Sequence, residues 1–200
     1  MKKAFFTISI IMNVVLIICL ALIYKDKIKN KLINNYSIVF LGDSLTANGN
    51  WEDLTGINNT KKSGFPGFTS SHLVWLLHEN VIKYDPDTCY LMAGVNDIAV
   101  GISQKRTQEN FSNIIDSLIS HDIFPVIQST IYTADENNNI LIDSLNQYLS
   151  ILAKSKGIKF LNVNSVISKN KKIISGYSTD GVHLNEKGYK KWSDYLSSHK

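Results

Sequence analysis

Two hundred residues with 44% hydrophobic and 19% charged side chains make an ordinary globular composition, not a disordered or fibrous one. The net charge of +4 invites a nucleic-acid reading, but the first 31 residues hold six lysines and one aspartate. The remainder is close to neutral and has no electrostatic footprint for DNA or RNA.

The N-terminal run over residues 4–24 is uncharged, with only Thr7, Ser9 and Asn13 clearly polar. As a helix it has the length of a roughly 30 Å hydrocarbon layer, which predicts a membrane anchor over 1–31 followed by a domain over 32–200. A cleaved signal peptide is the competing reading. Its apolar run is long for that purpose, and Cys19-Leu20-Ala21 is a poor cleavage site. Lys2 and Lys3 precede the run and Lys25, Lys27, Lys29 and Lys31 follow it, so the charge count does not set orientation. The short basic start resembles a signal anchor, and the domain is expected outside the cytoplasm. Cys19 in this run and Cys89 in an apolar, strand-like run do not suggest a disulfide.

From residue 37 onward short apolar runs alternate with longer amphipathic stretches. Strands are expected at 37–41, 88–93, 124–128 and 159–163, with a further short strand within the polar segment 56–67. Helices are expected at 70–83, 104–121, 140–156 and 186–199. In the second of these, Phe111, Ile114, Ile115, Leu118 and Ile119 recur at three- and four-residue spacing and form one apolar face. Ile140, Leu141, Leu145, Tyr148, Leu149 and Leu152 do the same in the third. Buried strands joined by helices predict an α/β domain with a parallel sheet. The basic "SKNKK" at 168–172 reads as a solvated turn.

In open α/β sheets ligands bind beyond the carboxyl ends of the strands, so the polar residues just after strands are the candidates. Three groups stand out: Gly42-Asp43-Ser44-Leu45, Gly94-Val95-Asn96-Asp97, and Asp180-Gly181-Val182-His183 before the last helix. Each alone is a good turn, and Ser44 alone is a good helix cap. Together they supply a nucleophile (Ser44), a base (His183), a carboxylate to orient the base (Asp180) and an amide donor for an oxyanion (Asn96). His72, His78, His121 and His199 show no zinc-ligand spacing, and no metal or other cofactor is expected.

From Ile38 to Trp192 the chain resembles the SGNH/GDSL hydrolases, serine esterases and lipases with a flavodoxin-like α/β/α sandwich. Four blocks carry the resemblance in the family's order, the fourth being Gly64-Phe65-Pro66-Gly67. It implies Ser44, Asp180 and His183 as the catalytic triad and Ser44, Gly67 and Asn96 as the oxyanion hole. Phe68 stands where the family often has a polar residue; Phe65 and Phe68 either line an acyl pocket or, the better-supported reading, pack under their loop. The activity implied is ester hydrolysis of carboxylesterase, acetylesterase or lysophospholipase type, on a small-molecule, lipid or glycan ester of the cell envelope. An acyltransferase using the same residues, and a non-catalytic envelope-binding module, are the alternatives.

Overall fold

The computed structural model describes residues 2–34 and 36–199, with side chains placed for 9–25 and 36–199. Residues 2–34 form a single helix, α1 (Lys2–Asn34), which belongs to a unit of its own; the second unit starts at Tyr36. The large apolar side chains of α1 from Ile10 to Tyr24 are exposed. The expected transmembrane anchor over 4–24 is not supported, since among the described residues no helix is long and apolar enough to cross a membrane. The described side chains of α1 cover residues 9–25, about 25 Å of helix against a hydrocarbon layer of roughly 30 Å. The side chains of residues 4–8 in the expected span lie outside the described ones.

In the second unit five strands form a parallel sheet: β1 (Ile38–Gly42), β2 (Thr60–Gly64), β3 (Thr88–Met92), β4 (Phe124–Gln128) and β5 (Lys159–Leu161). Their order is β2-β1-β3-β4-β5, so the chain reverses its direction of travel across the sheet at β1 and β3. Alternation along each strand feeds two cores. Val39, Leu41, Leu91 and Ile127 meet Leu73 of α4 (Ser70–Asn80), Phe111 and Ile114 of α6 (Gln104–Ser120), and Leu145 of α7 (Glu136–Lys156). On the opposite face Phe40, Val126 and Leu161 meet Trp51 of α3 (Trp51–Thr55), Ile167 of α8 (Asn164–Ile167) and Trp192 of α9 (Glu186–Ser197). This is a three-layer α/β/α arrangement.

Among the described residues the remaining elements are α2 (Ser44–Ala47), α5 (Val95–Ala99), two 3-10 turns at Ile82–Tyr84 and Ser175–Tyr177, and an antiparallel hairpin of β6 (Ser168–Lys169) and β7 (Lys172–Ile173). The segment expected as a plain basic turn is thus the tip of this hairpin, with Asn170 and Lys171 both at positive φ, 53° and 55°. That is the twist a two-residue hairpin turn requires. Helix α7 begins one turn before the expected residue 140, because Asp135 accepts from the backbone N–H groups of Asn137 and Asn138 and caps it at Glu136. Strand β2 lies at the sheet edge, which explains its polarity: Thr60 and Ser63 turn inward while Lys62 faces solvent.

Candidate active site

Beyond β1 the chain turns straight into α2, with Ser44 as its first residue. The cap is Asp43 and not Ser44: Asp43 Oδ1 accepts from Leu45 N at 2.9 Å. The serine oxygen is therefore free to face outward. Two side chains from other elements fix this short helix. Trp51 Nε1 donates to Thr46 O at 2.8 Å, and Tyr189 Oη on α9 donates to Leu45 O at 2.7 Å. An aromatic cluster backs them, with the Phe40 ring stacked on Trp51 at 4.4 Å and Trp192 edge-on to Trp51 at 4.6 Å between centroids. A four-residue helix has little stability of its own, so these contacts set where Ser44 points.

The segment from Asp180 to His183 brings the imidazole to that serine. His183 Nε2 lies 3.0 Å from Ser44 Oγ, and His183 Nδ1 lies 2.7 Å from Asp180 Oδ2. A carboxylate only accepts, so Nδ1 carries the proton in this pair and Nε2 is left to accept from the serine hydroxyl. Asp180 Oδ1 also accepts from the backbone N–H groups of Val182 at 2.9 Å and His183 at 2.7 Å. The His183 side chain, then these two N–H groups, hold the Asp180 carboxyl well below the usual carboxylate range. The loop is itself pinned: Thr179 N donates to His183 O at 2.9 Å and Ala134 N to Gly181 O at 2.7 Å.

Asn96 sits in the first turn of α5, just past β3, and its Nδ2 donates one hydrogen to Phe68 O at 2.9 Å. That bond ties it to the loop after β2, which is joined to the end of β1 by Phe65 N donating to Gly42 O at 3.0 Å. Gly67, in the same loop, has φ +77° and no atom within 4 Å of where a Cβ would be. The rings of Phe65 and Phe68 stack at 5.2 Å and rest against the α4 side of the core, so they pack under the loop. The five expected site residues thus come from loops and the first turns of α2 and α5, with Ser44 and Asn96 just past the carboxyl ends of β1 and β3. Direct contact is seen among Ser44, His183 and Asp180, whereas Asn96 and Gly67 are linked through the Phe68 loop. Among the described residues no group of three or more His, Cys, Asp or Glu is arranged to hold a metal ion.

Two buried carboxyls have no counterpart in the sequence-based site. Asp97 accepts from Ser70 N at 2.9 Å, from the Ser70 hydroxyl and from Thr107 Oγ1 at 3.2 Å, which binds α5 to α4 and α6 behind Asn96. Asp43 is fully buried as well, and burial pushes its carboxyl up to about 7. Both stand in the quoted blocks, yet their letters read there as turn formers. The only signal was position, immediately before Ser44 and immediately after Asn96.

The chain belongs to the GDSL-like lipase/acylhydrolase family, whose model matches residues 40–191. It is similar in structure to a GDSL-like lipase from Bacteroides thetaiotaomicron, with a TM-score of 0.74 and 25% identity, covering 81% of this chain and 86% of that one. An acetylxylan esterase from Geobacillus stearothermophilus aligns with a TM-score of 0.70 over 80% of this chain and 91% of that one; at 14% identity this is a likeness of fold. In sequence the chain is 25% identical over 166 residues to an N-acylneuraminate cytidylyltransferase of Streptococcus agalactiae serotype V, covering 82% of this chain and 38% of that protein. The chain therefore spans less than two-fifths of the curated relative's length.

Proposed function

We propose that the chain is a serine esterase in which Ser44 attacks the acyl carbonyl, His183 takes the serine proton and Asp180 holds the imidazole. The observation that carries this is the continuous hydrogen-bonded line from Ser44 Oγ through His183 to Asp180, at 3.0 and 2.7 Å. Asn96 Nδ2, whose second hydrogen has no acceptor among the described residues, and the backbone N–H groups of Ser44 and Gly67 receive the oxyanion. The alcohol leaves with the proton from His183, and water, deprotonated by the same residue, releases the acid and restores the serine. The His183 and Asp180 side chains are 37% and 53% exposed, so water reaches the base, as deacylation by hydrolysis requires.

For substrate we propose a short-chain O-acyl ester of an envelope glycan or lipid. The relative's name points to an acylated sugar acid as the first glycan to try. We further propose that the domain acts outside the cytoplasm, attached to a membrane through α1; the exposed apolar side chains from Ile10 to Tyr24 and the flanking lysines support this. Protease accessibility of the C-terminal unit on intact cells tests it, and full protection would refute it. The chemistry is tested with an aryl acetate and a fluorophosphonate probe. Wild type should turn over and be labelled, and Ser44→Ala should do neither while keeping its circular dichroism. Activity that survives Ser44→Ala would sink the proposal.

A further inference from the structure

Directly behind the nucleophile, the Asp43 carboxyl is fully buried, yet only one of its two oxygens is engaged by another residue. Oδ1 accepts from Leu45 N at 2.9 Å, and among the described residues nothing donates to Oδ2. The ionisable groups that face it are Asp97 from α5, His183 from the loop before α9, and Tyr189 on α9. The flanking β1 and α2 bring no other titratable side chain. No lysine or arginine is among these groups, so the carboxylate has no fixed cation to offset its burial.

We propose that Asp43 is a positioning residue with two effects on one reaction: it fixes Ser44 through the helix end it caps, and its ionisation governs how readily His183 holds the serine proton. The inference rests on the reading of Ser44 and His183 given above. Asp43 itself is shut off from water, so its charge reaches the partly exposed His183 with less screening than a surface carboxylate's would. When His183 takes the proton from Ser44 it becomes an imidazolium, which an ionised Asp43 favours and a neutral Asp43 does not. Desolvation raises the Asp43 carboxyl to about 7, with the Leu45 N–H opposing, Asp97 adding to the rise and His183 opposing it. The change of state therefore falls within the range in which an esterase is assayed. The productive form therefore needs Asp43 ionised as well as His183 free to accept the serine proton.

The test compares the full chain with its Asp43→Asn variant, in which Oδ1 still caps α2 but no charge can form. The pH dependence of kcat/KM on an aryl acetate and the thermal midpoint are followed from pH 4 to 9. In wild type the acid limb of log kcat/KM should approach a slope of two, and in the variant a slope of one, with the loss falling on kcat more than on KM. The difference in thermal midpoint between the two proteins should itself change by several degrees across neutrality. Acid limbs of equal slope would overturn the proposal, and so would a midpoint difference that stays constant with pH, because a purely structural cap predicts both. Should the variant fail to fold, a wild-type limb of slope one refutes the idea and a slope of two supports it. Absence of Ser44-dependent turnover would instead sink the esterase reading, and the thermal comparison would still decide whether Asp43 ionises in place.

Discussion

Replacing Gly64 by alanine should damage the enzyme more than replacing Gly67, although it is Gly67 that is expected to contribute an oxyanion donor. Gly64 ends β2 opposite Gly42 of β1, where the edge strand runs against the back of α2. A Cβ built on Gly64 would lie 2.2 Å from Ala47 N, 2.5 Å from Ala47 Cα and 2.7 Å from the Thr46 carbonyl carbon. All three are backbone atoms and cannot swing aside. Ordinary carbon contacts begin at about 3.5 Å, so α2 or β2 must shift by about 1 Å. Overpacking of this kind costs about 1–3 kcal/mol, or roughly 3–10 °C in a domain of this size. A displacement of about 1 Å at a nucleophile costs on the order of 100-fold in rate, and Ser44 is only three residues from Ala47. Gly67→Ala meets no atom within 4 Å, and its φ of +77° implies only about 1–2 kcal/mol of backbone strain; its N–H remains. Aryl acetate kinetics and thermal melts on both variants decide the matter. A Gly64→Ala enzyme within threefold of wild-type kcat/KM and with an unchanged melting temperature would show that the close approach does not set the position of Ser44.

Asn96→Ala should lower kcat by about 100-fold with little change in KM, as expected for a donor used mainly in the transition state; a change confined to KM would contradict that role. Asp180→Asn should lower kcat by about 10³- to 10⁴-fold by removing the group that fixes the imidazole tautomer. Because the folded-state pKa of Asp180 is depressed, its stabilising interactions are complete above the ordinary carboxylate range and are lost only as pH falls through the lowered value. Acid titration monitored by tryptophan fluorescence should thus show no Asp180-dependent transition near pH 6. Asp43 has the opposite sign. Its folded pKa is raised from 3.8 to about 7, so its burial has no ionisation cost below the lower value, and stability falls by about 4 kcal/mol as pH rises through the interval. Denaturant unfolding of wild type and Asp43→Asn at pH 5 and pH 8 should register about 2–3 kcal/mol of it, since pH 5 already lies above the unfolded value. Trp51→Ala, which removes both the stack on Phe40 and the bond to Thr46 O, should cost about 3–5 kcal/mol and reduce kcat. Lost stability with unchanged kcat would mean that Tyr189 alone suffices to hold α2.

The parts of this molecule legible in its sequence are those whose signal is local. Strands β1, β3 and β4 are short apolar runs because both faces of the sheet are covered, and α6 shows its buried face at helical spacing over 17 residues. Helices α2, α3, α5 and α8 have four or five residues each, too few to show a period, and are held by caps and by side chains from elsewhere. Strand β2 was expected within 56–67 but could not be placed there, because an edge strand can be built from Thr, Lys and Ser and shows no apolar run. The same division runs through the site. Ser44, Asn96, Asp180 and His183 could be found because reactive residue types stand at the ends of elements that were themselves visible. Asp43 and Asp97 stand beside them, yet nothing local separates a buried carboxyl from one in a solvated turn. What buries Asp97 is contributed by Ser70 and Thr107, 27 and 10 residues away in the chain. The neighbours that press on Asp43 come from α5 and from the region around α9, far along the chain. The candidate reacting groups were therefore readable as a set of residue types, whereas the electrostatic environment around them is created only when the sheet assembles around β1 and β3. A chain carrying the same four blocks but lacking that burial would present the same serine and histidine with a single ionisation on its acid limb.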